Sequence, residues 1–111
     1  MPATIYKILR AEEWHVSERD GVYRGSPDDA RDGFIHFSSA AQTPGTFEKY
    51  FSGQRDLILV AIDANVLGAA LKWEVSRVGA LFPHLYGDLP LTAVRWSRAL
   101  NSSADLRQLG Q

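Results

Sequence analysis

The sequence contains no cysteine among its 111 residues, and it has no long hydrophobic run. The first absence excludes disulfides, thiolate catalysis and cysteine-bound zinc, and it fits a reducing compartment. The longest apolar run, LILVAI at residues 57–62, is too short to span a bilayer. The N-terminus lacks a basic region followed by an apolar core, so no signal peptide is predicted. We therefore expect a cytoplasmic protein without a membrane segment.

The sequence also lacks an excess of one charge. It has 12 basic and 13 acidic residues, which give a formal net charge of −1. This balance does not indicate a nucleic-acid or polybasic membrane binder. The length suits one domain with its own core. We expect a globular domain over residues 1–100 and a polar tail over 101–111 that frays; the oligomeric state stays open.

Common catalytic motifs are missing as well. There is no GxGxxG, P-loop, HExxH or GxSxG pattern. The histidines are His15, His36 and His84, and this wide spacing predicts no metal site. Candidate functional residues must therefore be found from strand geometry.

Strand and helix patterns alternate in the first half of the chain, and strands cluster in the second. This order predicts an α+β or mixed-sheet fold. Residues 79–90 contain two prolines and two glycines, which predict a structured loop with short extended pieces. We expect strands at residues 4–9, 34–38, 56–63, 71–76 and 91–100, and helices at 10–21, 26–33 and 43–51.

The stretch FIHFS, residues 34–38, places a histidine in a strand. Because side chains alternate, His36 and Ser38 share a face with Phe34, opposite the core side of the strand. His36 then lies at a strand end beside a helix start, where α+β folds bind ligands and anions. His36 and Ser38 are therefore candidate catalytic residues. The alternative is a buried histidine bonded to a carbonyl or to Ser38.

A second candidate is LKWEVSR, residues 71–77. Glu74 could act as a base or bind ribose hydroxyls, and Arg77 could bind phosphate or carboxylate. Trp73 is included among the candidate cofactor contacts. The alternative is a surface ion pair beside a core tryptophan.

The segment FPHLYG, residues 82–87, is the third candidate. His84 and Tyr86 are two residues apart, so they can face the same way and form a wall that stacks on or hydrogen-bonds a purine. The segment could equally be a rigid turn whose tyrosine covers the core. Arg24, in YRGS, is a candidate anion contact or an exposed loop charge.

The segments GVYRGS, DGFIHFSSAAQ and LKWEVSRVGALFPHLYGDLPLTAV resemble the small bacterial family catalogued as domain of unknown function 952. The resemblance covers about residues 5–100. This family is similar in architecture to the ADP-ribosyltransferase fold group, nearest to the RNA 2′-phosphotransferases. The resemblance implies an α+β, ADP-ribosylation-like fold with two small antiparallel-rich sheets and short helices, and NAD as a possible cofactor.

The same resemblance implies roles for particular residues. His36 would hold a ribose or phosphate of the dinucleotide, with Ser38 beside it. Thr46 and Tyr50, on the following helix, would lie against the nicotinamide-side pocket.

Two departures from the fold group bear on activity. The first strand has Tyr6 and Lys7 where the group usually has arginine or histidine, and Glu74 comes earlier than the glutamate of protein-modifying members. The expected function is an NAD- or nucleotide-phosphate-dependent transferase. The alternatives are a non-catalytic nucleotide-binding module and an accessory protein whose polar residues brace loops, so enzymatic activity stays open.

Overall fold

The computed structural model describes residues 2–76, 79–107 and 109. Arg77, a candidate anion contact, lies outside the described residues. No helix in these ranges has the length and apolar character needed to cross a membrane. The helices are α1 (Ala11–Asp20), α2 (Pro27–Asp32) and α3 (Thr43–Tyr50), with 3-10 turns at Ala64–Ala70, Leu91–Ala93 and Ser103–Leu106. The strands are β1 (Thr4–Arg10), β2 (Val22–Tyr23), β3 (Ile35–His36), β4 (Leu57–Asp63), β5 (Leu71–Ser76), β6 (Ala80–Leu85), β7 (Leu89–Pro90) and β8 (Val94–Leu100).

The strands form antiparallel sheets. One sheet has the order β1–β4–β8, another has the order β3–β6–β5, and β2 pairs with β7. The predicted α+β class with antiparallel sheets and short helices is confirmed. The finer assignment to the ADP-ribosylation-like fold stays a prediction.

Helix α2 begins and ends as its sequence predicts. The Ser26 hydroxyl accepts from the backbone N–H of Asp29, and the Asp29 carboxylate accepts from the backbone N–H of Ser26 at 2.8 Å. Pro27 occupies the first turn, and Gly33 ends the helix in the left-handed region at φ 86°. The capping interaction turns the Asp29 carboxylate back towards the start of the helix.

The loop predicted for residues 79–90 is wrong for its first half, because β6 is the central strand of its sheet. Its inner end is apolar and buried, and this burial outweighs the proline as a strand breaker. The proline still has a structural effect. Pro83 accepts a backbone hydrogen bond from Phe37 at 3.0 Å but has no N–H to return, so the pairing of β3 with β6 ends there.

The chain leaves β6 at this point and crosses to β1. Ser38 and Tyr6 exchange two backbone hydrogen bonds of 2.8 and 2.9 Å. The segment containing β3 therefore joins both three-stranded sheets, and an open space is left between β1 and β6. This space is the cavity described below.

Apolar side chains pack on both faces of the β1–β4–β8 sheet. One face meets Ile35, Phe37 and Leu85 of the second sheet. The other face is covered by α3 and by Leu106, which is 2% exposed. The tail predicted to fray therefore differs in the structure: Ser103–Leu106 forms a 3-10 turn, since Leu106 can be buried in this second cluster.

Candidate functional site

A cavity of about 230 Å³ lies between β1, β6, α2 and α3. Its wall combines aromatic rings with hydroxyl, carboxylate and imidazole groups. The structure brings several of the predicted site residues together on this wall: His36, Ser38, Thr46, Tyr50 and His84.

Other predicted contacts lie elsewhere. Arg24 is exposed and pairs with Asp20 at 3.0 Å, so it is engaged away from the cavity. Trp73 is half-buried against the main core, because it projects from the opposite face of β5. Glu74 and Tyr86 do not line the cavity, but both contact the His84 side of the site.

Asp29, which sequence analysis missed, is the centre of the first polar cluster. Its side chain is 2% exposed. The Lys7 ammonium lies 3.1 and 3.2 Å from its two oxygens, and Nδ1 of His36 lies 2.6 Å from Oδ1. The backbone N–H groups of Ser26 and His36 also donate to it, and the Tyr23 hydroxyl lies at 3.4 Å. This one carboxylate therefore links α2 to β1, β2 and β3.

Burial and hydrogen bonding act in opposite directions on Asp29. Burial alone raises its pKa, but the His36 ring, the Lys7 charge and the backbone donors outweigh it and hold the pKa well below the usual range. Burial lowers the pKa of Lys7, with Asp29 opposing that change. Burial, and next the Asp29 charge, raise the pKa of Tyr23. Asp29 is thus the fixed negative charge of the cluster.

His36 contacts carboxylates through both ring nitrogens. Nδ1 faces Asp29, and Nε2 lies 3.0 Å from Oδ2 of Asp32. Both contacts are hydrogen bonds only when both nitrogens carry a proton, and a ring in that state has no lone pair to act as a base. The side chain is 35% exposed, so it also faces the cavity.

Ser38 has a different partner from the one considered in the sequence. Its hydroxyl lies 2.8 Å from the hydroxyl of Thr46 on α3, and Ser38 itself is buried. The two side chains share a wall with His36, but the structure shows no Ser38–His36 hydrogen bond. Ser38 is therefore placed to hold α3 against the strand.

His84 and Glu74 form a second carboxylate–histidine pair. Nδ1 of His84 lies 2.8 Å from Oε1 of Glu74, and the Tyr86 hydroxyl donates to the same oxygen at 2.8 Å. These hydrogen bonds, His84 first, lower the pKa of Glu74. The His84 side chain is 5% exposed. Within the described part of the chain, its Nε2 has no hydrogen-bond partner.

The two histidines are neighbours on one face of the sheet. His36 and His84 are register partners in β3 and β6, and their ring centroids are 5.4 Å apart. Phe34 stacks on His84 at 4.1 Å with an interplanar angle of 23°. The two carboxylate–histidine pairs are therefore adjacent to each other.

The charge at the cavity depends on His36, because the described acids outnumber the described bases by one when the histidines are neutral and equal them when His36 is protonated. The described residues that line the cavity include two basic side chains, Lys7 and Arg31, and three acidic ones, Asp28, Asp29 and Asp32. Both cations are paired, Lys7 with Asp29 and Arg31 with the other two aspartates. The described residues contain no group of three or more histidines or acids arranged for a metal ion. The arrangement suits a hydroxylated, aromatic or cationic group better than a bare phosphate.

The sequence contains only part of the information needed to identify Asp29 as a site residue. The capping pattern Ser26–Asp29 shows that this carboxylate turns towards its helix start. Nothing local shows that Lys7 and His36 reach the same carboxylate, because those contacts come from the crossing of β3 between the sheets.

A family profile and two solved structures match this chain. The family profile described as "Protein of unknown function (DUF952)" matches residues 8–97. The crystal structure of protein CC0527 from Caulobacter crescentus, a structural-genomics target, is 46% identical, with 92% of this chain and 90% of that chain covered and a TM-score of 0.87. Its solution NMR structure gives 45% identity, 94% and 90% coverage and a TM-score of 0.82. No curated protein matches this chain. The chain therefore belongs to the DUF952 family.

Proposed function

We propose that this chain binds NAD or a related nucleotide in the cavity beside His36, and that it is a transferase of ADP-ribosyltransferase-like type. The observation that carries the proposal is the meeting of imidazole, hydroxyl, carboxylate and aromatic groups on one cavity between two antiparallel sheets. The motif resemblance, with His36 in a strand and Thr46 and Tyr50 on the next helix, supports the same ligand class.

The nicotinamide riboside end of NAD matches the charge that the cavity has when its histidines are neutral. Its pyridinium ring is cationic, and the described lining carries one more acidic than basic side chain when the histidines are neutral. Tyr50 and Phe82 offer aromatic surface for that ring, and Asp32 offers an acceptor for a ribose hydroxyl. The phosphates would lie beside Arg31, which lines the cavity and has an exposed side chain.

A second candidate is a nucleotide-binding module without catalysis. It is favoured by the partners of two of the three residues predicted as catalytic, His36 and Ser38. Both nitrogens of His36 face carboxylates, and the Ser38 hydroxyl is bonded to Thr46. Neither residue is poised as a base or nucleophile in this arrangement.

The test is a thermal-shift titration with NAD, ADP-ribose, nicotinamide riboside and a 2′-phosphorylated dinucleotide. A ligand at 100 times its dissociation constant stabilises the fold by about 2.7 kcal/mol. We expect NAD to stabilise the wild type but not His36→Ala. His15→Ala is the matched control, since His15 is an exposed histidine on α1.

A parallel assay for nicotinamide release separates the two candidates. Release by the wild type that is lost in His36→Ala supports the transferase. Binding of NAD without release supports the module. Failure of all four ligands to stabilise the wild type contradicts both.

A further inference from the structure

His84 has a buried ring nitrogen that no described protein group contacts. The His84 side chain is 5% exposed, and the residue lines the cavity. Among the described residues, its Nε2 is the buried side-chain nitrogen or oxygen that has no hydrogen-bond partner. A buried polar atom without a partner costs free energy, and native structures rarely retain one without a reason. Because His84 lines the cavity, a ligand donor that reaches Nε2 from there would supply the missing partner.

The ring is held in one orientation. Nδ1 lies 2.8 Å from Glu74, Phe34 stacks on one face, and His36 meets the ring in an edge-on arrangement. Glu74 in turn accepts from the Tyr86 hydroxyl at 2.8 Å. Rotating the ring would break the hydrogen bond between Nδ1 and Glu74, so Glu74, which does not line the cavity, favours the observed orientation of the ring.

This orientation fixes the tautomer of a neutral His84. Glu74 is an acceptor, so Nδ1 must carry the proton and Nε2 must carry the lone pair. An imidazole oriented by a carboxylate on one nitrogen, with its other nitrogen unpartnered and the residue itself part of a cavity wall, is the arrangement of a general base. Glu74 would then stabilise the positive charge that forms on the ring when Nε2 takes a proton.

We propose that His84 is a general base that removes the proton of a hydroxyl acceptor, an alcohol or water, in the cavity, with Glu74 and Phe34 as positioning residues. The use of NAD as the co-substrate rests on the function proposed above. The O–H bond breaks, and its proton binds Nε2. The oxygen keeps the electron pair of the O–H bond and uses it to bond to the ribose carbon of NAD, while the carbon–nitrogen bond breaks and nicotinamide leaves with the electron pair of that carbon–nitrogen bond. The nicotinamide becomes neutral, and the proton resides on His84.

The tautomer is tested first, in the free protein. Side-chain ¹⁵N NMR of histidine distinguishes a protonated from an unprotonated ring nitrogen. We expect the proton of the neutral His84 ring to reside on Nδ1 and Nε2 to be unprotonated. The opposite tautomer would overturn the proposal whether or not the protein binds NAD.

Two substitutions of His84 by amide residues distinguish a general base from a residue that only supports the fold. His84→Asn keeps an amide at the level of Nδ1, where it can still donate to Glu74, but removes the acceptor in the cavity. His84→Gln keeps an amide at the level of Nε2, which can accept a hydrogen bond but cannot take a proton. Circular dichroism shows whether each variant folds.

For nicotinamide release, we expect kcat to fall by at least about 100-fold in both variants, with little change in the KM for NAD. The acid limb of the wild-type kcat–pH profile should disappear in His84→Gln. A purely structural histidine predicts instead that His84→Asn, which keeps the Glu74 contact, is nearly as active as the wild type. That result would overturn the proposal.

The remaining outcomes separate this inference from the proposed function. A wild type that binds NAD but never releases nicotinamide overturns the general base and leaves a binding module. A wild type that does not bind NAD overturns the proposed function, and methyl riboside then serves as the hydroxyl probe. A shift of the Nε2 resonance on adding methyl riboside supports His84 as the hydroxyl acceptor, and no shift overturns it.

Discussion

The Asp29–His36 and Glu74–His84 pairs use the same two chemical groups, yet their burial is reversed. In the first pair the carboxylate is buried, at 2% exposure, and the histidine is partly exposed, at 35%. In the second pair the histidine is buried, at 5%, and the carboxylate is partly exposed, at 37%. The pairs are adjacent on one sheet face, so the difference arises from the partners of each group and not from the location.

The number of partners explains this reversal. The buried Asp29 receives hydrogen bonds from three different elements and balances Lys7, which indicates a structural role. The buried His84 has a single side-chain hydrogen bond in the described structure, and one of its nitrogens is left over. A fully satisfied buried group braces a fold, whereas an unsatisfied one indicates a place for a ligand. The following predictions test that distinction.

Removing the Asp29 carboxylate should have the largest effect. Asp29→Ala leaves the buried Lys7 ammonium without its counter-charge, and breaking a buried pair in this way costs about 3–5 kcal/mol. Urea unfolding measures the loss. The matched control is Asp28→Ala, the preceding residue of α2, whose side chain is 69% exposed. If both variants unfold at the wild-type urea midpoint, Asp29 is not a structural centre.

The loss of stability in acid should arise in part from protonation of the same carboxylate, Asp29. The pKa of Asp29 is lowered in the folded state, so its contribution is fully present above the unfolded value of about 3.9. The contribution is lost as the pH falls below that value and through the folded pKa. We expect wild-type stability to fall more steeply with acid than that of Asp29→Asn. Other carboxylates titrate in both proteins, so parallel curves would contradict the assignment to Asp29.

Gly25 provides an indirect way to disturb the Asp29 cluster. Its φ of 107° disfavours any side chain, and an added Cβ would come 2.9 Å from the Cβ of Asp29. We expect Gly25→Ala to cost about 1–3 kcal/mol in urea unfolding. Gly45→Ala is the control, because Gly45 lies in α3 with open space around its Cβ position, and it should be neutral or slightly stabilising. An equal response of both variants would show that Gly25 does not constrain Asp29.

Local sequence signals predicted most elements but not the connections between them. The Ser-Pro signal that begins α2 and the Gly33 signal that ends it lie within eight residues of each other, and the helix in the structure begins and ends at these signals. Alternation also placed His36 and Ser38 on one face. β6 was missed because proline and glycine are normally strand breakers, whereas here burial of the inner end and pairing on both sides compensate.

The site was predictable only residue by residue. His36, Thr46 and His84 do line one cavity, but their partners come from segments distant in sequence. Asp29 is seven residues from His36 and 22 from Lys7, and Glu74 is ten from His84. The contacts of Asp29 with Lys7 and His36 depend on where β3 leaves β6 and crosses to β1, at Pro83, which has no N–H, whereas Glu74 meets His84 across the paired strands β5 and β6. No local pattern encodes such a crossing.

The smallest effect on stability should come from the outer end of the second pair. Tyr86 is 42% exposed, and its hydroxyl donates to a carboxylate that is itself partly exposed, so water can replace it in Tyr86→Phe. We expect no measurable change in the urea midpoint. We do expect the pKa of Glu74 to rise in Tyr86→Phe, because a hydrogen bond to its ionised form is lost, and carboxyl ¹³C NMR can follow this. A large drop in stability would mean that the Glu74 pair braces the fold as Asp29 does, and the contrast between the two pairs would no longer distinguish structure from function.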